Sequence, residues 1–172
     1  LINRVMVAAN NATTHQELFK GALEIICEEL EFTGGIIYLT NNKTREAKSI
    51  YSHNAGSSYL TTHGRIKIDR PPYRKIFVEG EIYRVNDCIC NCRSLYDAYN
   101  ILSFVCHPIL SPCGIVGAIF LYRKDSPDIS ETVETQLLSI TNYMGDALRR
   151  IWAEQNAIEQ LKKYEGMFHY TP

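Results

Sequence analysis

Apolar residues recur at helical spacing at both ends of the chain and at strand spacing between them. Leu1, Ile2, Val5, Met6 and Ala9 fall at threes and fours and predict a short opening helix. Asn10-Asn11 break that pattern, and Thr14-His15-Gln16-Glu17 reads as a capping box for a second helix. The second helix gathers Leu18, Phe19, Ala22, Leu23, Ile25, Ile26 and Leu30 on a face wide enough to lie on a sheet. Cys27 shares that face as a small buried hydrophobe, and Gly34-Gly35 is the expected stop. Residues 36–40 then read as a strand, Asn41-Asn42-Lys43 as a turn, and residues 47–52 as the returning hairpin partner. A third strand is expected over residues 64–68. Pro71-Pro72 opens a helix running to Val78, since proline is tolerated in a first turn. Residues 82–85 form a short strand. Residues 87–100, DCICNCRSLYDAYN, have no clear period and read as irregular. The strongest strands are residues 104–110 and 115–122, joined by Ser111-Pro112-Cys113-Gly114.

A long helix follows. Asp128 and Ser130 are both good cap types, and Asp128 with Glu131 makes a start like a capping box. Beyond it Val133, Leu137, Ile140, Met144, Ala147, Ile151, Ile158 and Leu161 keep steps of four and three, interrupted only at Glu154. Such a repeat suits a partner helix packed along an a/d seam. Its first half fits equally well a helix lying on its own sheet. The second half, AEQNAIEQLKKYEG, is too polar for a monomer core and is expected to pair with another helix. Leu137, Ile140, Met144, Ala147, Ile151, Ile158 and Leu161 are therefore the expected dimer and output positions. The chain is expected to be a homodimer through its terminal helices. Helices at both ends with strands between them give an α+β layer, the terminal helices packed together on the sheet.

Composition narrows the classes. A chain of 172 residues has the size of one domain with a real core. Its formal net charge of −1, with both signs interspersed, leaves no footprint for nucleic acid or an anionic membrane, and neither is expected as a partner. The longest apolar run, residues 114–122, is far too short to span a bilayer. No basic start precedes an apolar block, so no signal peptide is read and a cytoplasmic location is expected. The six cysteines are accordingly expected as reduced thiols. The sequence starts without Met and stops in mid-pattern, and so reads as a segment of a longer protein.

Cys88, Cys90 and Cys92 alternate with other residues, which in an extended segment would point all three thiols to one side. Together with Cys106, Cys113 or a histidine they would offer ligands for zinc or an iron–sulfur centre. Metal ligands are usually spaced more widely, so that a turn can wrap the ion. Thiols without a metal are the plainer expectation, and reversible thiol oxidation the next. Cys106 and His107 are neighbours in a strand and face opposite sides of it, so at most one can enter a given site. No Ser/His/Asp set, phosphate-binding loop or paired-carboxylate pattern is present.

The segments ELFKGALEIICEEL, GGIIYLTNN, EGEIYRVND and HPILSPCGIVGAIFLYRKDSPDISETVETQLLSITNYMGDAL, in this order and with a long exit helix, resemble the GAF domain family. The resemblance covers almost the whole chain. It implies an antiparallel sheet of about six strands, the N- and C-terminal helices on one face and a ligand pocket under loops on the other. The domain would span residues 1–150, with a helix over 1–10 and a core over 13–150, followed by a coiled-coil-like exit helix over 151–165. The pocket lid would come from residues 52–76 and 87–100. In and beside those segments Tyr51, His53, Tyr59, His63, Tyr73, Tyr96 and Tyr99 become the candidate contacts for a small-molecule ligand, with Tyr83 near them. Arg65, Arg70, Arg74 and Arg93 would meet an anionic one.

Some sensor GAF domains bind haem, which makes Cys88, Cys90, Cys92, Cys106 and His107 candidates for a redox, metal or haem site, with His53 and His63 as alternative ligands. The expected cofactor is haem or none. No Asn-Lys-x-Phe-Asp-like segment is present, so cyclic nucleotides are not expected; nor is a bilin, because Cys106-His107 lies in a strand. Residues 163–172 resemble the opening of a PAS domain, which would start at 166–172. The resemblance thus implies a non-catalytic sensor in a two-component signal-transduction protein, a histidine kinase, coupled to downstream domains through its exit helix. It also leaves open a thiol enzyme like the GAF-fold free methionine-R-sulfoxide reductases, whose cysteines are more widely spaced, and a purely structural dimerisation module.

Overall fold

Two of the first three elements are helices, α1 (Ile2–Asn11) and α2 (His15–Glu29), and they lead into the hairpin β1 (Gly34–Asn41) and β2 (Glu46–His53). An excursion follows: α3 (Ser57–His63), β3 (Arg65–Lys67), α4 (Tyr73–Phe77), β4 (Tyr83–Val85), α5 (Cys88–Asn91) and α6 (Arg93–Tyr99). A second hairpin, β5 (Ser103–Ser111) and β6 (Gly114–Arg123), precedes α7 (Glu131–Phe168). This computed structural model describes residues 1–168. The six strands form one antiparallel sheet in the order β3-β2-β1-β6-β5-β4.

Strand alternation divides the interior into two cores. Ile37, Val105, Ile109, Ile119 and Leu121 face α1, α2 and α7, while Ile36, Phe104, Cys106, Ala118 and Phe120 face the short helices. On the helix side α2 supplies Leu18, Phe19, Leu23 and Ile26, all fully buried. From α7 come Leu137, Ile140, Met144, Leu148 and Ile151, each at most 1 % exposed. Burying such a side chain is worth roughly 1.5–3 kcal/mol, so these five decide where the first half of α7 lies. Leu137, Ile140, Met144, Ala147 and Ile151 are thereby occupied within the domain and are not positions of a dimer seam. Beyond Trp152 every residue from 153 to 167 is exposed, including Ile158 and Leu161. The helix continues through residues 166–168, where a following domain was expected to open. The rest of the PAS-like segment, residues 169–172, lies outside the described residues.

Local chemistry explains most boundaries. Thr14 caps α2 by accepting from the Glu17 N–H at 3.2 Å, and Glu17 reaches back to the Thr13 N–H and hydroxyl, both at 2.9 Å. Ser130, one of the two expected caps, receives the Val133 N–H at 3.4 Å ahead of α7. The α1 C-terminus is tied to α7, with Arg150 donating to the Ala9 carbonyl at 2.9 Å and Tyr143 to Asn10 Oδ1 at 2.6 Å. One expected stop is displaced. α2 ends before Glu31, which takes a left-handed φ of 56°, and Gly34-Gly35 instead begins β1. A Cβ on Gly35 would sit 2.8 Å from Leu121 and Leu23 side-chain carbons, so close packing is what requires glycine there.

Residues 87–100 are two short helices, not an irregular segment. Asp87, at a left-handed φ of 58°, caps α5 through its side chain, and Asn100, at φ 56°, ends α6. α3 also was not foreseen.

Candidate functional site

Between the sheet and the short helices lies a cavity of about 190 Å³. Its floor is Tyr38 of β1, Ile66 of β3, Tyr83 of β4, Phe104 and Cys106 of β5, and Phe120 of β6. Tyr59 and His63 of α3 roof it on one side, and Tyr73, Ile76 and Phe77 of α4 on another. Cys92, Ser94 and Leu95, at the start of α6, close the remainder. Each strand contributes residues of a single parity, so the floor follows directly from the pleat.

The walls are aromatic and tightly arranged. Tyr59 stacks on Phe120 with ring centroids 5.6 Å apart, and Tyr38 meets Phe77 edge-on at 6.4 Å. The Tyr38 hydroxyl donates to the His63 carbonyl at 3.0 Å, which ties the floor to α3. No Asp, Glu, Lys or Arg side chain lines the cavity. Burial pushes its titratable groups toward their neutral forms: the Cys106 thiol rises to about 12, the Tyr38, Tyr59, Tyr73 and Tyr83 phenols rise, and the His63 imidazole falls.

Of the tyrosines and histidines expected around a ligand, Tyr59, His63 and Tyr73 border the cavity. Tyr99 packs edge-on against Tyr59 at 4.9 Å and lines an adjoining cleft with Asn100 and Lys124, while Tyr96 packs against the same core. Tyr51 and His53 stand elsewhere. Tyr51 pairs opposite Ile37 on the helix face of the sheet and donates its hydroxyl to Glu24 Oε1 at 3.0 Å. His53 sits at the end of β2, its Nε2 3.2 Å from Asn54 Nδ2. Sequence reading missed Tyr38, Phe104 and Phe120. The available signal was parity, since all three fall on the face opposite the residues that meet the long helices.

The cysteine triplet does not converge. In a helical turn residues two apart diverge by about 200°, unlike the extended segment expected, so Cys90 turns away while Cys88 and Cys92, four apart, fall on one side. Cys88 is buried with its thiol pushed up to about 11, Cys90 is exposed, and Cys92 is at the cavity rim. A hydrogen bond to Asp87 also raises Cys90. Reactive thiols need the opposite shift. Among the described residues no group of three His, Cys, Asp or Glu side chains is placed to hold a metal ion.

His107 points away from the cavity into the helix-side core, 1 % exposed, with Nδ1 3.0 Å from Thr141 Oγ1 on α7. It cannot ligate a group held in the cavity. His63, an alternative ligand, does line the cavity, but the cavity's volume is below the roughly 300–1,000 Å³ of pockets for drug-sized ligands and cofactors and is too small for haem. Three of the expected arginines are engaged outside the cavity, Arg65 with Glu46, Arg74 with Glu79 and Arg93 with Asp97, and Arg70 does not line it.

A family model described as GAF domain matches residues 12–149. The chain belongs to the GAF domain family. Solved structures share the GAF fold at low identity. The GAF domain of an Acinetobacter phosphoenolpyruvate-protein phosphotransferase is 14 % identical with a TM-score of 0.75, over 88 % of this chain and 92 % of that one. A domain of a putative two-component sensor histidine kinase from Sinorhizobium meliloti 1021 is 14 % identical with a TM-score of 0.70, over 85 % and 98 %. Free methionine-R-sulfoxide reductase from Neisseria meningitidis, solved in complex with its substrate, is 14 % identical with a TM-score of 0.70, over 87 % and 88 %. No curated protein matches the sequence. Among the described residues of this GAF domain, no helix is long and apolar enough to cross a membrane.

Proposed function

We propose that this GAF domain is a non-catalytic sensory module in which a small molecule held between the sheet and α3–α6 changes how α7 leaves the sheet. The observation that carries this reading is the double role of β5. Phe104 and Cys106 face the cavity, while Val105, His107 and Ile109 alternate with them and face the helix layer. Close-packed interiors transmit such displacements because they have no compliant layer to absorb them. The projecting half of α7 is the output. An isolated helix of about 15 residues is marginal in water, and Ile158, Leu161 and Tyr164 lie exposed on it. A second copy of the chain covers them in this reading.

Fold likeness to a sensor histidine kinase domain supports a setting in a two-component kinase, with further signalling domains joined to α7. The same reading places the domain in the cytoplasm, without nucleic acid or membrane contact by this segment. Sedimentation velocity tests the output: the chain should sediment as a dimer, and Leu161→Asp as a folded monomer. A wild-type monomer, or a dimer indifferent to the substitution, sinks that part. Native mass spectrometry of the purified chain tests whether it retains a small molecule.

A second reading has one observation in its favour, the presence of Cys92 and Cys106 at one cavity. It is a thiol reductase of free methionine sulfoxide, as in the Neisseria protein of similar fold. The raised Cys106 thiol and the exposure of Cys90 on the side away from Cys88 and Cys92 weigh against it. Turnover of free methionine sulfoxide by reduced protein, lost in Cys90→Ser or Cys92→Ser, would establish it and remove the non-catalytic reading.

A further inference from the structure

The cavity specifies more than the presence of a ligand. Its size comes first. Apolar cavities of about 150 Å³ take up benzene, so about 190 Å³ encloses one six-membered ring with a short substituent. Its walls come second. Phe104, Phe120, Tyr59, Phe77 and Tyr38 present faces and edges at the separations that aromatic pairs prefer, and a flat ring continues that arrangement.

Charge comes third. An ionised ligand would be buried among neutral side chains with no counter-ion on any wall, a strongly unfavourable transfer. Of the arginines on this face, Arg65, Arg74 and Arg93 are paired with Glu46, Glu79 and Asp97, and Arg70 lines a neighbouring cleft, not the cavity. Besides the Tyr38 and Tyr83 phenols, the polar points are hydroxyls, thiols and one imidazole: Tyr59, Tyr73, Ser94, Cys92, Cys106 and His63. Because the Tyr38 hydrogen is given to the His63 carbonyl, Tyr38 offers only its lone pairs to a ligand. A site of this kind recognises a hydroxyl or amide that can both donate and accept.

We infer that the ligand is a neutral, single-ring aromatic molecule bearing a hydroxyl or amide group, of the size of phenol or benzamide. This rests on the cavity being the sensory site, and the test separates the two claims. The 172-residue chain, labelled with ¹⁵N, is titrated near neutral pH with phenol, benzoate and cyclohexanol, and the same samples are examined by sedimentation velocity and by the amide signals of α7. Phenol should give saturable shifts at Tyr38, Tyr59, Cys106 and Phe120. Benzoate, the charged form of the same ring, should bind at least roughly tenfold more weakly, and cyclohexanol, equal in size but not aromatic, should also bind more weakly.

Cys106→Leu, which fills the cavity, should abolish the phenol shifts. Ser94→Phe at the rim serves the same purpose should the first variant fail to fold. Equal or tighter binding of benzoate or cyclohexanol overturns the ligand class, as does the absence of saturation by phenol. Phenol binding that leaves α7 and the dimer unchanged upholds the ligand class and overturns the sensory reading. A charged ligand that moves α7 does the reverse.

Discussion

Thr141 Oγ1 lies 3.0 Å from His107 Nδ1, joining α7 to β5 at two residues that are 0 % and 1 % exposed. The threonine hydroxyl has its own acceptor, the Leu137 carbonyl at 2.9 Å. The histidine proton therefore resides on Nδ1, shared between Thr141 and the Pro108 carbonyl at 3.1 Å. Nε2 is left buried without a partner, an acceptor in this tautomer and so the less costly orphan. Thr141→Val should lower unfolding stability by about 1 kcal/mol, measured by urea denaturation, because Pro108 still satisfies part of the Nδ1–H. An unchanged midpoint would show that the pair contributes nothing.

Burial also holds the His107 and His63 imidazoles below the ordinary histidine value. An unfolded histidine titrates near about 6.5, so as pH falls the unfolded state takes up protons first. The stability these groups contribute is present above that value and is lost as pH falls through their folded values. Urea midpoints should be level from about pH 8 to 7 and should decline below about pH 6.5. His107→Gln should flatten part of the decline. A midpoint that rises on acidification contradicts the assignment of a buried neutral His107.

Gly145 reverses the usual rule for helical glycines. Helix propensity alone would have Gly145→Ala gain about 1 kcal/mol. A Cβ there would stand 1.8 Å from the Leu110 carbonyl oxygen and 2.7 Å from its carbon, and a backbone carbonyl cannot rotate aside. The substitution should cost about 3 kcal/mol or separate α7 from the β5–β6 hairpin. Thermal unfolding gives the sign, and a stabilised variant would mean that α7 does not approach the hairpin this closely.

Thiol reactivity should follow the same geometry. Cys113 and Cys90 are exposed, Cys92 is partly covered, and Cys27, Cys88 and Cys106 are buried. Burial lifts the Cys27 and Cys106 thiols to about 12. With a chromogenic disulfide, Cys113 should react first and Cys90, held back by Asp87, after it. The three buried thiols should react only on unfolding. Fast modification of Cys88 in the folded chain would reopen a redox role for the triplet, and that of Cys106 a redox role at the cavity.

What the sequence made legible was periodicity. The α2 face, the two hairpins and the long C-terminal helix all announce themselves through threes, fours and twos, and all lie where their patterns put them. The short helices were not legible, because α3, α5 and α6 are only four to seven residues long and show less than two turns of any period. The cysteine expectation failed for the same reason: alternation in Cys88-Ile89-Cys90-Asn91-Cys92 was given an extended geometry that the Asp87 cap replaces with a helical one. The cavity was legible only in part. Tyr59, His63 and Tyr73 lie in the lid segments that the family resemblance indicated. Tyr38, Phe104 and Phe120 belong to the floor, and strand parity identifies them only after the helix-covered face is known. Tyr51 fell on the helix face by that parity.

Between Trp152 and its end, α7 runs through 15 exposed residues, 153 to 167, beyond the last side chain seated in the core. At 1.5 Å per residue that is an arm of about 22 Å, so a tilt of about 10° at its root carries the tip sideways by about 4 Å. The root is the stretch from Thr141 to Ile151, where Gly145 lies against the hairpin and Arg150 holds the end of α1. Rotations too small to disturb the packing of the root thus become displacements as large as a side chain where the helix meets its neighbour.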